Sequence, residues 1–254
     1  MADPAFVAAP GGDWASMLAP GYLAQRARAI DSRPHSPRMP AALPGNPGAL
    51  AVAYAPMPDQ MEYGTSHISV VDAQGNALAM TTTIEDAFGA RQMVNRGVGL
   101  SGGFLLNNEL TDFSFVPTDA AGKPIANRVE PGKRPRSSMA PTLVFDKASG
   151  QLLASVGSPG GAFIIHFTTK TLYGMLHWGL NAQQAIDLPN FGTTGGPLLL
   201  EANRFDAATA QALQARGHTV TQAPLPSGLQ AIERTATGYF GGADPRREGV
   251  VLGD

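Results

Sequence analysis

The spacing of apolar residues changes character near Glu62. Over Glu62–Asp86, read as EYGTSHISVVDAQGNALAMTTTIED, two β-rich runs flank a polar turn. The pattern predicts strands over His67–Asp72 and Ala77–Ile84, with Gly-Thr-Ser-His at the open end of the hairpin. Folding it symmetrically about Gln74-Gly75 places residue i opposite about 149 − i, so Thr65 meets Thr83 or Ile84. Gly103–Asn107 is a short apolar run. Pro141–Asp146 and Gln151–Val156 read as a second hairpin around Lys147–Gly150. Ala162–Leu180 is almost continuously apolar and too long for a strand, which predicts a buried helix. A short helix at Asn181–Ile186, a strand at Pro197–Glu201, a helix at Asp206–Arg216 and a strand at His218–Gln222 follow. Leu229–Thr235 and Gly238–Phe240 close the chain as strands. Hairpins, then helices, then more strands predict a layered α+β domain with helices packed on antiparallel sheet. No internal repeat is visible.

Residues 1–64 follow a different pattern. Asp13–Ile30 carries Trp14, Met17, Leu18, Tyr22, Leu23 and Ala27 at loosely helical spacing. From Asp31 through Pro58 the chain is dense in proline and shows no period, as expected of an extended linker. A short helix and a long linker bury little by themselves, so 1–64 reads as the tail of something larger and 65–254 as the main domain.

Composition narrows the classes. The 254 residues are 43% hydrophobic and 15% charged, enough for one sizeable core. A net charge of −2 offers no basic field for nucleic acid or an anionic membrane. No cysteine is present, so disulfides, thiolate metal sites and a cysteine nucleophile are excluded while the compartment stays open. No stretch reads as a signal peptide or reaches membrane-spanning length. The five histidines lack metal-ligand spacing, and neither a metal nor a cofactor is expected.

Four places could carry chemistry. A threonine hydroxyl becomes a nucleophile when a base takes its proton, and a chain cut before Thr65 would free an α-amine with a pKa of about 7.7–8.0 for that task. Gly64 leaves its own carbonyl open to such an attack; otherwise Thr65 simply starts a strand. His67 shares a strand face with Thr65 and either orients the site or packs. Gly157-Ser-Pro-Gly-Gly161 leads into the long helix, so Gly160 and Gly161 either present N–H groups to an oxyanion or form an ordinary turn. Ser137 and Ser138 can bind a carboxylate or cap a turn, and Glu109 with Asp112 can hold an ammonium group or face solvent.

These stretches together resemble one family. GTSHISVVDAQGNALAMTTT, FGA, GFLLNNELTDFSF, KRPRSSMAPTLVF, GSPGG and GGADPRREG stand in the order and approximate spacing of the gamma-glutamyltransferase small subunit. The resemblance runs from Thr65 to the C-terminus, and 1–64 resembles the end of that family's large subunit. It implies an N-terminal-nucleophile (Ntn) hydrolase fold, an αββα sandwich that is incomplete here because most of the large subunit is missing. It further implies a precursor that cuts itself to expose Thr65. That threonine then takes the acyl group of a γ-glutamyl substrate such as glutathione and passes it to water, an amino acid or a peptide. By motif, Thr83 resembles the supporting threonine and Gly160 and Gly161 the oxyanion-hole glycines. Ser137 and Ser138 match the α-carboxylate serines, and Glu109 and Asp112 the pair that holds the α-amino group. Glu85 stands where glutathione-acting members usually carry Asn, so it joins the substrate-contacting residues and points also toward acylases that accept glutaryl or other acyl groups. The family's carboxylate-binding arginine belongs to the large subunit, for which Arg91, Arg96 or Arg136 could substitute. Family members are often exported, which suggests a periplasmic or extracellular location. A third reading makes the chain a non-catalytic fragment that pairs with a large-subunit chain.

Overall fold

The computed structural model describes residues 2–9, 13–28, 30, 45–47, 54–58, 64–95, 97 and 102–253. Most of the proline-rich linker, and Arg96, lie outside them. The helix expected over Asp13–Ile30 is two pieces, a 3-10 turn at Trp14–Leu18 and α1 at Pro20–Ala27. Asp13 caps the first by accepting from the Ala15 and Ser16 amides. Pro20 lacks an N–H and holds Ala19 in an extended conformation, so the two cannot merge.

β1 (Thr65–Val71) and β2 (Ala77–Thr83) form the expected hairpin. Its register pairs Thr65 with Thr83, His67 with Thr81 and Ile68 with Met80. Asp72 closes the turn by accepting from the Gln74 and Asn76 amides and the Asn76 side chain. β3 (Met93–Val94) and β4 (Phe104–Leu105) make a small ladder, only part of which the apolar run at 103–107 foretold. A 3-10 turn follows at Glu109–Asp112. β5 (Thr142–Phe145) and β6 (Leu152–Gly157) form the second hairpin. A 3-10 turn at Gly161–Phe163 then leads into α2 (Ile164–Trp178), which ends at a left-handed Gly179. α3 (Ala182–Asp187) starts on a reciprocal Asn181–Gln184 cap. β7 (Phe191–Gly192), β8 (Leu198–Glu201), α4 (Ala207–Ala215) and β9 (Val220–Ala223) come next, then β10 (Gln230–Arg234) and β11 (Tyr239–Ala243).

The main sheet has the order β11-β10-β6-β5, antiparallel throughout. α2 and α3 pack on one of its faces, and the β1-β2 hairpin on the other. Between sheet and helices lie Val156, Phe167, Ile186, Leu229 and Ala231, all at most 2% exposed. Each large apolar side chain buried there stabilises by roughly 1.5–3 kcal/mol. Two expectations need correction. β8 and β9 are parallel, joined through α4, so helices do not sit on antiparallel sheet alone. α2 is buried on one face only, since Ile165, Tyr173, Leu176 and Trp178 are exposed.

Hairpin, sheet and helices supply three layers of an αββα sandwich. The outer face of the hairpin is open: Ile68, Val70, Leu78 and Met80, two cross-strand pairs, are 39–47% exposed. No helix among the described residues covers it. An incomplete sandwich is therefore what the described residues form.

Candidate active site

The open end of the β1-β2 hairpin carries the two threonines opposite each other. The Thr65 hydroxyl donates to Thr83 Oγ1 over 3.1 Å, and the Glu85 amide donates to the same oxygen over 2.9 Å. Closing that second bond bends the chain so sharply that Glu85 has φ of 73°. Asn108 holds the bend from the far side. Its amide donates to Ile84 O (3.2 Å), its Oδ1 accepts from the Asp86 amide (3.0 Å), and its Nδ2 donates to Thr111 and to the Glu85 carboxylate. Gly64, just before Thr65, has φ of 100°, and a Cβ there would lie 2.5 Å from Asp86 O. Only glycine fits that position without strain.

Thr65, Thr83, Glu85, Asp112, Ser137, Ser138, Met139 and Ile164 line one small cavity, with about 20 Å³ open to the centre of a water molecule. Asp112 is brought in by the 3-10 turn and is buried. Burial pushes its carboxyl above the ordinary aspartate range and the Glu85 charge adds to the push, while a hydrogen bond with Glu109 and the charge of Arg136 pull the other way. The buried Asn127 sets the spacing between the two sides of the cavity. It donates to Asp112 O (2.6 Å) and accepts from the Arg136 amide (2.9 Å), one residue before Ser137. Ser137 Oγ in turn accepts from the Met139 amide over 3.2 Å.

Six of the nine residues singled out by sequence therefore meet at one cavity: Thr65, Thr83, Glu85, Asp112, Ser137 and Ser138. Glu109 reaches it through its bond to Asp112. Gly160 and Gly161 do not line it; their loop enters through Ile164, three residues on. Gly160 has φ of 134°, and a Cβ there would lie 2.6 Å from the Phe167 ring, so the position requires glycine. Arg91 is a surface residue 3.9 Å from Asp86 and lies apart from the cavity, whereas Arg136 is close enough to act on Asp112. His67 is packed, not exposed to the cavity. Its ring lies on Gly157 between hairpin and sheet, with Nδ1 2.8 Å from Thr81 Oγ1 and Nε2 3.2 Å from Ser69 Oγ. Burial lowers its pKa to about 4, so the ring is neutral. Asn108 and Asn127 escaped the sequence reading; both stand inside motifs it quoted or beside them, but only the fold shows what they tie together. Among the described residues no three His, Asp or Glu side chains are placed to hold a metal ion.

Comparison with known proteins decides the family. The gamma-glutamyltranspeptidase family model matches residues 1–254. The chain belongs to that family. It is 33% identical over 257 residues to a glutathione hydrolase proenzyme of Bacillus subtilis (strain 168), covering 99% of this chain and 41% of that protein. It is 31% identical over 243 residues to the Acylase ACY 1 proenzyme of Pseudomonas sp. (strain SE83), covering 95% of this chain and 38% of that protein. The gamma-glutamyltranspeptidase structure from Pseudomonas nitroreducens complexed with L-DON superposes with a TM-score of 0.63 at 30% identity, over 74% of this chain and 98% of that one. The chain thus spans about two fifths or less of the length of the curated relatives it matches. The αββα Ntn-hydrolase scaffold, present in part, follows from this membership and from the layers above.

Proposed function

We propose that the chain carries the catalytic half of a threonine Ntn hydrolase that splits γ-glutamyl amides such as glutathione. The first event is a cut between the 1–64 tail and the 65–254 catalytic domain. Thr65 Oγ1 attacks the Gly64 carbonyl, the C–N bond to Thr65 breaks with its nitrogen taking the hydroxyl proton, and an ester forms. Water hydrolyses that ester to a Gly64 carboxylate and a free Thr65 amine. In the continuous chain the cavity has room for a water-sized group, not a glutamyl chain.

In turnover the freed amine takes the Thr65 hydroxyl proton as Oγ1 attacks the γ-carbonyl carbon. Thr83 holds the hydroxyl in line, and the Gly160 and Gly161 amides receive the developing oxyanion. Collapse expels the amine product, which leaves with the proton, and the glutamyl ester on Thr65 passes to water, an amino acid or a peptide. Ser137 and Ser138 take the α-carboxylate, with Arg136 supplying charge, and Asp112, Glu109 and Glu85 take the α-ammonium. The uncovered hairpin face receives the large-subunit partner.

The observation that carries this reading is the 3.1 Å Thr65–Thr83 bond at the edge of a cavity that also gathers two serines and two carboxylates. The same carboxylates weigh against the acylase alternative. A glutaryl group lacks the amine, and its free end would bring a third negative charge beside Glu85 and Asp112. Intact mass and two substrates test it. The expected results are pieces split at Gly64–Thr65, release from a γ-glutamyl anilide, and little from a glutaryl amide. Thr65→Ala is expected to stay uncut and lose at least about a thousandfold in turnover. Turnover of the glutaryl amide alone would make the enzyme an acylase; an uncut, inert chain in the presence of the large subunit would make it a pairing fragment only.

A further inference from the structure

The segment before the proposed cut reaches the substrate loop at a point far from the cut itself. Asp3 is 4% exposed, and its carboxylate accepts three hydrogen bonds from one residue: the Arg134 amide (2.9 Å), Arg134 Nε (3.2 Å) and Arg134 Nη2 (3.0 Å). The Ala5 amide adds a fourth at 3.0 Å, so the carboxylate is held from its own side as well. Around this clamp the same segment makes further contacts. The Phe6 ring lies 5.8 Å from Lys133 Nζ, Ala55 bridges to the buried Ile125, and Met57 Sδ accepts from Asn127 Nδ2 over 3.1 Å. Lys133 is itself fixed, donating to Ala126 O (2.7 Å) and Glu130 (2.8 Å).

Arg134 stands three residues before Ser137, in a stretch with no strand or helix to stiffen it. Its path is set by two side chains that catch alternate amides: Asp3 takes the Arg134 N–H and Asn127 takes the Arg136 N–H. Between them Pro135 has no N–H to offer. Asn127 belongs to the catalytic domain, whereas Asp3 belongs to the tail.

We propose that Asp3 is a positioning residue for the site: by holding the Arg134 backbone and guanidinium it sets where Ser137 and Ser138 stand, and it does so across the cut. The tail is then a working part of the site after cleavage, because one of the two anchors of the carboxylate-binding loop stays on it. This rests on the function proposed above for the serines. The clamp itself is independent of that function. A charged, bidentate contact on a buried carboxylate, with the Arg134 guanidinium reaching in from an exposed side chain, keeps one geometry where a single neutral bond would let the loop swing.

Amide hydrogen exchange on the 254-residue chain tests it. Asp3→Asn keeps the shape and removes the charge. Exchange at Arg134, Arg136, Ser137 and Ser138 is expected to quicken about tenfold or more, with β6 and α2 unchanged. Unchanged exchange at 134–138 would overturn the proposal. So would loss of protection throughout the chain both in Asp3→Asn and in the milder Arg134→Lys, since Asp3 would then be holding the fold and not the loop. Arg134→Lys keeps one charge and the backbone bond, and is expected to quicken exchange at 136–138 by a smaller factor at the same residues. Where the protein turns over a γ-glutamyl anilide, Asp3→Asn is expected to raise KM about tenfold with kcat within about twofold, and the reverse split would also count against it. An inert protein with the expected exchange pattern would count against the function of the serines while leaving the clamp standing.

Discussion

Two groups of carboxylates among the described residues, one around Glu201 and Asp244 and one around Asp112, behave in opposite ways. At the C-terminal end, Arg246 forks onto Glu201 (2.6 and 2.8 Å) and reaches Asp244 (3.1 Å). Asp244 also accepts from the Leu229 amide and Ser227, and Glu201 from the Asn190 amide. Burial raises the Glu201 pKa, but the guanidinium and the amide outweigh it and hold the carboxyl below its ordinary range. At the mouth of the hairpin Asp112 is shifted the other way, with another carboxylate adding to the effect of burial. The first cluster is complete and ties β8 to the end of the sheet. The second remains frustrated, and it borders a cavity. Of these two buried acids, Glu201 is paired with a guanidinium and held below its ordinary range, while Asp112 is crowded by a second carboxylate and held above it.

The largest effect that could break this contrast is at the staple. Arg246→Met strips buried Glu201 and Asp244 of their hydrogen-bonding guanidinium, leaving only the through-space charges of Lys170 and Arg204, and is expected to cost about 3–5 kcal/mol in denaturant unfolding. A loss under about 1 kcal/mol would mean the staple is ornamental. Next comes His67, a buried polar group that belongs to neither cluster. Its pKa is about 4 in the fold and 6.5 ordinarily, so the unfolded chain takes up a proton that the native ring refuses. Its contribution is whole above pH 6.5 and is lost as pH falls toward 4, by up to roughly 3 kcal/mol. Unfolding curves at pH 7 and 4.5 should show that slope, and His67→Gln should flatten it. The smallest stability effect is expected at the site. A carboxyl whose pKa is raised in the fold favours the fold below its unfolded pKa and loses that favour as pH rises through the raised value. Asp112→Asn is therefore expected to leave stability at pH 7 unchanged or raise it by about 1 kcal/mol, while KM for a γ-glutamyl substrate rises about tenfold. Loss of stability together with activity would erase the distinction between the clusters.

How much of this could be read from the chain varies with the distance between partners. The Thr65–Thr83 pairing was legible because strand alternation and one polar turn determine a hairpin register to within a residue. The packing of helices on sheet was legible from the order of the elements and the αββα sandwich from the family resemblance, apart from the parallel β8-β9 pair, whose crossover helix looks like any other helix. The bend at Glu85 was not. A positive φ at a glutamate leaves no mark in the sequence, and the Asn108 that stabilises it lies 23 residues away. The motifs named Glu85 as a charge near the substrate without showing that Asn108 would be bonded to it. Asn127 and Asp3 were invisible, because nothing in a lone Asn or Asp says which distant amide it will meet. Gly160 and Gly161 were legible as a motif, yet the cavity reaches their loop only through Ile164.

The hairpin has one consequence for the order of assembly. Thr65 and Thr83 are 18 residues apart, whereas Asp3 and Arg134 are 131 apart. Closing the longer loop costs about 1.8 kcal/mol more in chain entropy. A local hairpin of this kind forms within about 1–10 μs. On a ribosome both threonines are available well before Ile164, the Gly-rich loop or the second half of the sheet has been made. Thr65 and Thr83 thus meet early, and the rest of the cavity wall, from Asp112 to Ile164, is added afterwards.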